Sequence, residues 1–218
     1  ETGKKRIELS HQQIADDLQV RGACQVCTEE LDITQVTSMR GLVARADAAL
    51  AGLDTVILAA GLLPDQQRIN WDDELLRLTM EVNATSAMSI LNEAAGYFEN
   101  QRRGQMVAIG SVAGDRGRAV NAAYGAAKGA LEIFMSGLRQ RLHPLGVQVL
   151  LVKPGFVDTP MTAAFTKGAL WATPERIARD ILHGMDRRRM IIYSPGFWRW
   201  IMLVIRHLPE WVFSRLRF

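Results

Sequence analysis

The sequence is short of the features that announce several protein classes. Two cysteines, Cys24 and Cys27, are too few for a disulfide framework, and one C-x-x-C without a second pair offers no zinc site. The stretch around them, Ala23 to Thr28, has no helix start for a redox motif, so both are expected to be plain structural cysteines. The histidines His11, His143, His183 and His207 are scattered without ligand spacing and read as surface residues, so no metal is expected. No run of ~18 apolar residues offers a membrane-spanning helix. A signal-peptide pattern is missing too, which makes a cytoplasmic location the expectation. Charge of one sign is also lacking: 26 basic against 23 acidic residues leave +3, no argument for a nucleic-acid partner. That small excess suits a phosphate-bearing cofactor or an acidic membrane surface.

What is present is an alternation of short apolar runs with longer amphipathic stretches, in a chain of 218 residues that suits one α/β domain. Ser10 to Arg21 reads as helix, and Ala23 to Leu31 contains a strand. Gln35 to Leu50 is helix, Asp54 to Ala60 (DTVILAA) a buried strand, and Trp71 to Phe98 holds a long helix. Gln105 to Gly110 is strand, Ala122 to Leu142 helix, and Val147 to Val152 strand. Thr173-Pro174-Glu175 starts a helix that runs to about Asp186, followed by a last short strand, Met190 to Tyr193. Strands alternating with helices predict a parallel sheet covered on both faces, a doubly wound α/β fold.

The chemistry gathers on three residues. Ser111 ends a buried strand at the edge where ligands sit in open α/β sheets. Tyr124 and Lys128 stand at i and i+4 on one helix face, so both can reach one cleft. A hydroxyl that holds a carbonyl oxygen, a phenol that exchanges its proton and a cation that moves the phenol's pKa make a proton-transfer site. Taken singly, each has a blander reading: a solvated helix face for the pair, a turn residue for Ser111.

Three segments together resemble the short-chain dehydrogenase/reductase (SDR) family: Ile109-Gly110-Ser111, Tyr124-Gly125-Ala126-Ala127-Lys128, and Pro154 to Met161 (PGFVDTPM). With their neighbours they span about Lys5 to Tyr193 in the family's order. The resemblance implies an NAD(P)-dependent carbonyl reductase or alcohol dehydrogenase with Asn83, Ser111, Tyr124 and Lys128 as its catalytic set. Asn83 would link a water to Lys128 in a proton relay; read alone, it is a helix Asn bonding locally. Ala59-Ala60-Gly61 resembles the family's Asn-Ala-Gly turn, with Ala60 and Gly61 letting the adenosine ribose approach. Asp32 matches the acidic residue that meets the adenine amino group; a helix N-cap role for Asp32 or Thr34 competes. The resemblance also implies cofactor contacts from Tyr124 and Lys128, from Pro154 and Gly155 along the nicotinamide, and from Val157 and Thr159 at its carboxamide. The pocket for the substrate would be lined from Leu62-Leu63, Gly114 to Asn121 and Phe156 to Leu170. A homodimer or homotetramer through the two long helices is implied as well.

The family's Gly-rich phosphate loop and the two strands beside it should precede Lys5, and no G-x-x-x-G-x-G occurs; Gly3 stands alone. The expected fold is therefore a Rossmann-like doubly wound sheet lacking its first strand-helix-strand unit. A fragment, or a chain from which residues were dropped, fits better than a decayed relative, because all four catalytic positions remain. Arg6, with Lys4 and Lys5, would fall just past the missing second strand. The resemblance places there a basic residue for the 2′-phosphate of NADP, making NADP the preferred cofactor with NAD as alternative; a solvated basic turn is the bland reading.

Residues 1–193 would form this domain and 194–218 an amphipathic extension. In the extension Trp198, Ile201, Met202, Ile205 and Leu208 share one helical face, and a second short helix follows Pro209. Aromatic and basic residues on an apolar segment suit peripheral membrane contact through 197–218 or a lipid-linked substrate; packing on the protein's own core or on a partner subunit is the other reading. With Ala60-Gly61-Leu62-Leu63 and Arg206-His207-Leu208-Pro209, the tail resembles the decaprenylphosphoryl-2-keto-ribose reductase branch of the family. That likeness implies a keto-sugar on a polyprenyl phosphate as one candidate substrate. The rival from another class is a non-catalytic Rossmann-like interaction protein held peripherally at a membrane.

Overall fold

A computed structural model of the chain describes residues 11–216. The chain divides into two compact units, residues 1–53 and 54–218.

In the first unit lie His11–Val20 (α1), Val36–Met39 (α2) and Leu42–Leu50 (α3), with Ala15, Met39 and Val43 buried. The single helix expected over Gln35 to Leu50 is broken. Arg40 turns extended and Gly41 sits at φ 73°, a left-handed conformation that glycine adopts without steric cost. The strand expected within Ala23 to Leu31 does not form. An extended segment becomes a strand only by pairing, and among the described residues nothing offers this one a ladder. Cys24 and Cys27 lie in that segment, free and exposed instead of packed as small hydrophobes.

The second unit carries a four-stranded parallel sheet in the order β1-β2-β3-β6: Thr55–Leu58 (β1), Gln105–Ile109 (β2), Gln148–Pro154 (β3) and Ile191–Ser194 (β6). Parallel pairing aligns the carboxyl ends of all four strands along one edge, with Leu58 opposite Ala108, Ile109 opposite Val152, and Pro154 opposite Ser194. β3 is buried along its whole length. β1, expected to be buried, is an edge strand of this sheet, and Ile57 is 50% exposed.

Helices cover both faces. Pro174–Asp186 (α8), capped by the Thr173 hydroxyl, packs Ile177 and Ile181 against Val107, Leu150 and Val152. Each such fully buried aliphatic side chain contributes about 1.5–3 kcal/mol. On the other face, Ala122–Leu142 (α7) buries Leu131, Met135, Leu138 and Leu142, and Ser86–Gln101 (α6) buries Leu91, Ala94, Ala95 and Phe98. The long helix expected from Trp71 starts at Asp73–Met80 (α5), where the Asp72 carboxylate accepts from the Leu75 N–H. It reaches α6 through one π-helical turn, Glu81–Thr85. A short helix, Gln66–Ile69 (α4), lends the Gln66 side-chain oxygen to the Ala123 N–H at the start of α7 (3.0 Å).

Beyond β3 a second, two-stranded sheet pairs Phe156–Val157 (β4) with Trp171–Ala172 (β5). The tail forms Trp198–His207 (α9) and Glu210–Phe213 (α10). Trp198 and Met202 are buried with Val112, flanked by Ile201 and Ile205, so the face expected to be apolar is the one turned inward.

Candidate active site

The site is assembled where α7 meets a 3-10 turn, Val112–Gly114, that follows β2. Glycines make the approach possible. A Cβ on Gly125 would stand 2.8 Å from the Ala113 carbonyl oxygen, and one on Gly114 would stand 2.9 Å from the Gly129 nitrogen. Backbone therefore touches backbone, and Ser111 at the head of the turn is brought to Tyr124 in the first turn of α7. Ser111 Oγ accepts from the Ala113 N–H (3.1 Å), and its side chain is hydrogen-bonded to the Tyr124 hydroxyl.

Lys128 lies one helical turn further on. It is 4% exposed, and its Nζ donates to the Ile109 carbonyl at the end of β2 (3.0 Å). Burial without a carboxylate partner lowers its pKa to about 8, from an ordinary 10.5. Burial acts on Tyr124 in the opposite sense: it pushes the phenol up, and the Ser111 hydrogen bond pulls partly back. The ammonium stands 5.7 Å from the centre of the Tyr124 ring. The phenol is thus kept protonated, a proton donor beside a polar hydroxyl and a buried cation.

Asn83 sits on the π-helical turn and is fully buried. Its Nδ2 donates to the Thr79 carbonyl (2.9 Å) and to the Leu62 carbonyl (2.7 Å), while Oδ1 accepts from the Leu62 N–H (3.0 Å). The bond to Thr79 takes the carbonyl that the α-helical ladder would use, which is how a side chain opens a helix locally. Both the local bonding and a place beside the lysine are therefore realised. A Cβ on Gly61 would be 3.2 Å from Asn83 Oδ1 and 3.6 Å from Lys128 Nζ.

Comparison with known proteins gives the arrangement its family. A family model described as short chain dehydrogenase matches residues 5–169. The chain belongs to that family. An uncharacterised oxidoreductase of Mycobacterium tuberculosis is 34% identical over 207 residues, covering 94% of this chain and 83% of its own. An NADP-dependent 3-hydroxy acid dehydrogenase of Schizosaccharomyces pombe is 25% identical, with 84% and 75% covered. Among solved structures, a short-chain dehydrogenase of Sphingobium yanoikuyae in complex with NADPH shares the fold at a TM-score of 0.76 and 23% identity, with 94% of this chain and 82% of that one covered. A bulky-bulky ketone specific alcohol dehydrogenase of Comamonas testosteroni gives 0.74 at 22%, with 94% and 80% covered. The doubly wound Rossmann fold and the oxidoreductase class expected from the sequence stand.

The other short-chain dehydrogenase positions are distributed as follows. Pro154 ends β3, and the Gly155 N–H donates to the Ser194 carbonyl (3.0 Å). Val157 lies in β4, its carbonyl taken by the Thr162 hydroxyl (2.6 Å), and the Thr159 N–H donates to the same hydroxyl oxygen (3.1 Å). Ala60 and Gly61 follow β1 and lead directly into Leu62. Asp32 belongs to the first unit, where its carboxylate accepts from the Thr34 N–H (2.9 Å) and hydroxyl (2.8 Å), bonds that hold it below the usual carboxylate range. The helix N-cap role expected for Asp32 or Thr34 does not hold, because Gln35 is the N-cap of α2 and no side chain caps it; the Asp32 carboxylate closes a turn on Thr34 instead. Arg6, with Lys4 and Lys5, lies outside the described residues.

Two structural groups beside the site escaped the sequence reading. Lys153, 2% exposed on β3, donates to Asp115 Oδ1 (2.5 Å) and to Glu132 of α7, and the Tyr193 hydroxyl donates to Asp115 Oδ2 (2.9 Å). Burial alone would lower this lysine, but bonds and charge from Asp115 and Glu132 outweigh it and hold the pKa above the ordinary value. Arg116 clamps the tail: Nη1 donates to the Ile205 and Leu208 carbonyls at the end of α9 (2.6 Å each), and Nη2 to Glu210 (2.7 Å). The Pro154-Gly155 turn itself rests on the tail, since a Cβ on Gly155 would fall 1.9 Å from the Trp198 ring. A lysine inside the apolar run VQVLLVKPG was the available signal, because such a charge demands partners.

Proposed function

We propose that this chain is an NAD(P)-dependent carbonyl reductase or alcohol dehydrogenase, with NADP favoured over NAD by the basic Arg6 segment. One observation carries the reading: backbone-close packing of α7 on the Val112–Gly114 turn delivers Ser111, Tyr124 and Lys128 to one point at the carboxyl edge of the sheet. The residues present fit the nicotinamide end of such a cofactor. Gly61 keeps open the space between Asn83 and Lys128 that any side chain would fill, and the Pro154-Gly155 turn stands at the same sheet edge. The bound nicotinamide would supply or accept the hydride.

The chain's own residues do the rest. Ser111 hydrogen-bonds the substrate oxygen and holds it against the Tyr124 hydroxyl. Tyr124, kept protonated by burial, gives its proton to that oxygen as the carbonyl is reduced, and takes it back in the reverse direction. Lys128, a buried cation one turn away, stabilises the phenolate left behind. Asn83 holds the Leu62 backbone and stands in line to pass a water-borne proton toward Lys128.

NADPH consumption with a panel of ketones tests this directly. Tyr124→Phe should lower kcat by about 10²–10⁴-fold; an unchanged rate would remove the mechanism.

A peripheral membrane contact has one observation in its favour. Trp200 and Trp211 are 65% and 66% exposed, and the guanidinium groups of Arg199 and Arg215 stand 5.7 and 5.8 Å from their ring centres. Indoles with adjacent cations suit an anionic lipid interface. Sedimentation with phosphatidylglycerol vesicles, lost in Trp200→Ser/Trp211→Ser, checks it; equal sedimentation of both proteins would rule it out.

A further inference from the structure

Basic side chains withdrawn from water need partners, and within the described part of the chain all but one find them. Among the described residues, Arg116, Arg118, Lys128, Arg139 and Lys153 are the arginines and lysines that are not exposed. Arg116 has two carbonyls, Glu210 and the Phe213 ring, while Lys153 has Asp115 and Glu132. Arg139 donates to the Val149 and Met190 carbonyls, and Lys128 to the Ile109 carbonyl. The half-buried Arg118 guanidinium has no ion pair and no hydrogen bond among the described residues, and partial burial lowers its pKa. Five N–H donors in a rigid fork are left pointing at no acceptor.

Its place in the fold says which ligand would reach it. Arg118 lies on the loop that runs from the Ser111 turn to the head of α7. The Asn121 N–H closes a turn on the Arg118 carbonyl (3.1 Å), which keeps their Cα atoms within about 7 Å. Tyr124 follows Asn121 by one helical turn, a further separation of about 5–6 Å. The long arginine side chain therefore starts within reach of whatever is held by Tyr124 and Ser111. The same turn has a second orphan: the Asn121 side-chain oxygen is buried without a hydrogen-bond partner. A buried acceptor left unpaired costs about 1–3 kcal/mol and calls for a donor, which a hydroxyl of the ligand supplies, whereas the Arg118 fork calls for an acceptor.

We propose that Arg118 is a substrate-recognition residue and that the carbonyl substrate carries an oxyanion, phosphate or carboxylate, away from the reacting carbon. Two oxygens of such a group accept in parallel from the guanidinium fork. This assignment rests on the carbonyl-reductase reading, and the experiment separates the two.

Wild type, Arg118→Gln and Arg118→Lys are assayed as the full chain with NADPH on two matched pairs: a keto carboxylate with its amide, and a ketone phosphate ester with its free alcohol. Wild type should prefer the charged member of one pair, which names the anion. Arg118→Gln should reduce that preference about 10–100-fold, the loss of a charged hydrogen bond, and Arg118→Lys should recover part of it. An unchanged preference in Arg118→Gln overturns the assignment. As a readout independent of turnover, inorganic phosphate or acetate should raise the Tm of wild type more than that of Arg118→Gln. If no ketone is reduced yet this difference in Tm is seen, the reductase reading fails and the anion site stands. If neutral ketones are reduced but neither preference nor Tm responds to Arg118→Gln, the anion site fails alone.

Discussion

Replacing Lys128 by methionine should make the protein more stable while disabling it. The ammonium is buried with the Ile109 carbonyl as its hydrogen-bond acceptor and no carboxylate, and its pKa falls from 10.5 to about 8. At ~1.4 kcal/mol per unit, keeping that charge in the folded state costs about 3 kcal/mol at neutral pH. Methionine fills a similar volume without charge, but it leaves the Ile109 carbonyl without its donor, a loss of about 1–2 kcal/mol. The net gain is about 1–2 kcal/mol, or about 2–8 °C in Tm for a chain of this size. The sign with pH follows from which state binds more protons. Between pH 8 and 10.5 the unfolded lysine is protonated and the folded one is not, so wild-type stability from this group rises with pH. The variant's advantage should therefore be largest below pH 8, shrink by ~1.4 kcal/mol per pH unit above it, vanish between about pH 9 and 10 and reverse by 10.5, where the charge cost has gone and the lost hydrogen bond remains, while its reductase activity stays low throughout. Thermal melts of both proteins from pH 7 to 10.5 read this directly. A variant less stable than wild type at pH 7, or an advantage that grows with pH, would refute the reasoning.

Four further changes probe the scaffold and the site. Gly125→Ala puts a methyl group 2.8 Å from the Ala113 carbonyl, a backbone atom that cannot swing aside; a loss of about 1–3 kcal/mol should come with reduced kcat as Ser111 is displaced. Gly137→Ala, on the same helix with open space around it, is the control, expected to gain about 0.5–1 kcal/mol. Lys153→Met strands Asp115 and Glu132 without their cation and should cost about 3–5 kcal/mol at neutral pH; in wild type that contribution is full below pH 10.5 and lost as pH climbs through the raised folded value. Ser111→Ala removes both the substrate's hydrogen bond and the bond that lowers the Tyr124 pKa, so kcat should fall about 10²–10³-fold. Denaturant titrations and steady-state kinetics check all four.

The elements that were legible are those whose signals are local. Helix α7 runs over the residues its periodicity marks, and Thr173-Pro174 starts α8 because a hydroxyl cap and a proline act within one turn. The proposed catalytic positions were legible as spacing, Tyr124 to Lys128 on one face, and the packed face of α9 as an apolar stripe. What failed depended on neighbours. Residues 23–31 carry β-forming composition, but a strand exists only with a partner, and the reading supplied none. Gly41 in a helical pattern reads as a tolerated glycine, yet its backbone turns left-handed and splits the helix. The Asn83 turn is invisible in periodicity, because one side-chain bond to the Thr79 carbonyl decides it.

The buried cations draw the line between scaffold and chemistry. Lys153 and Lys128 approach the same helix, one from β3 and one from α7 itself, and both are almost wholly removed from water. Lys153 meets two carboxylates, which hold its proton beyond any physiological pH and make it a fixed link between β3, α7 and the Asp115 turn. Lys128 meets one carbonyl, and its proton becomes labile near neutrality. Sequence marks Lys128 by its spacing from Tyr124 but does not show what neutralises Lys153, because the carboxylates that meet it lie 21 and 38 positions away. Burial makes a charge costly in both places; what the neighbours supply decides whether the charge is structural or available for reaction. By the same criterion Arg118, half-buried like Arg116 two residues earlier but given no acceptor among the described residues, belongs with Lys128 on the side of the ligand.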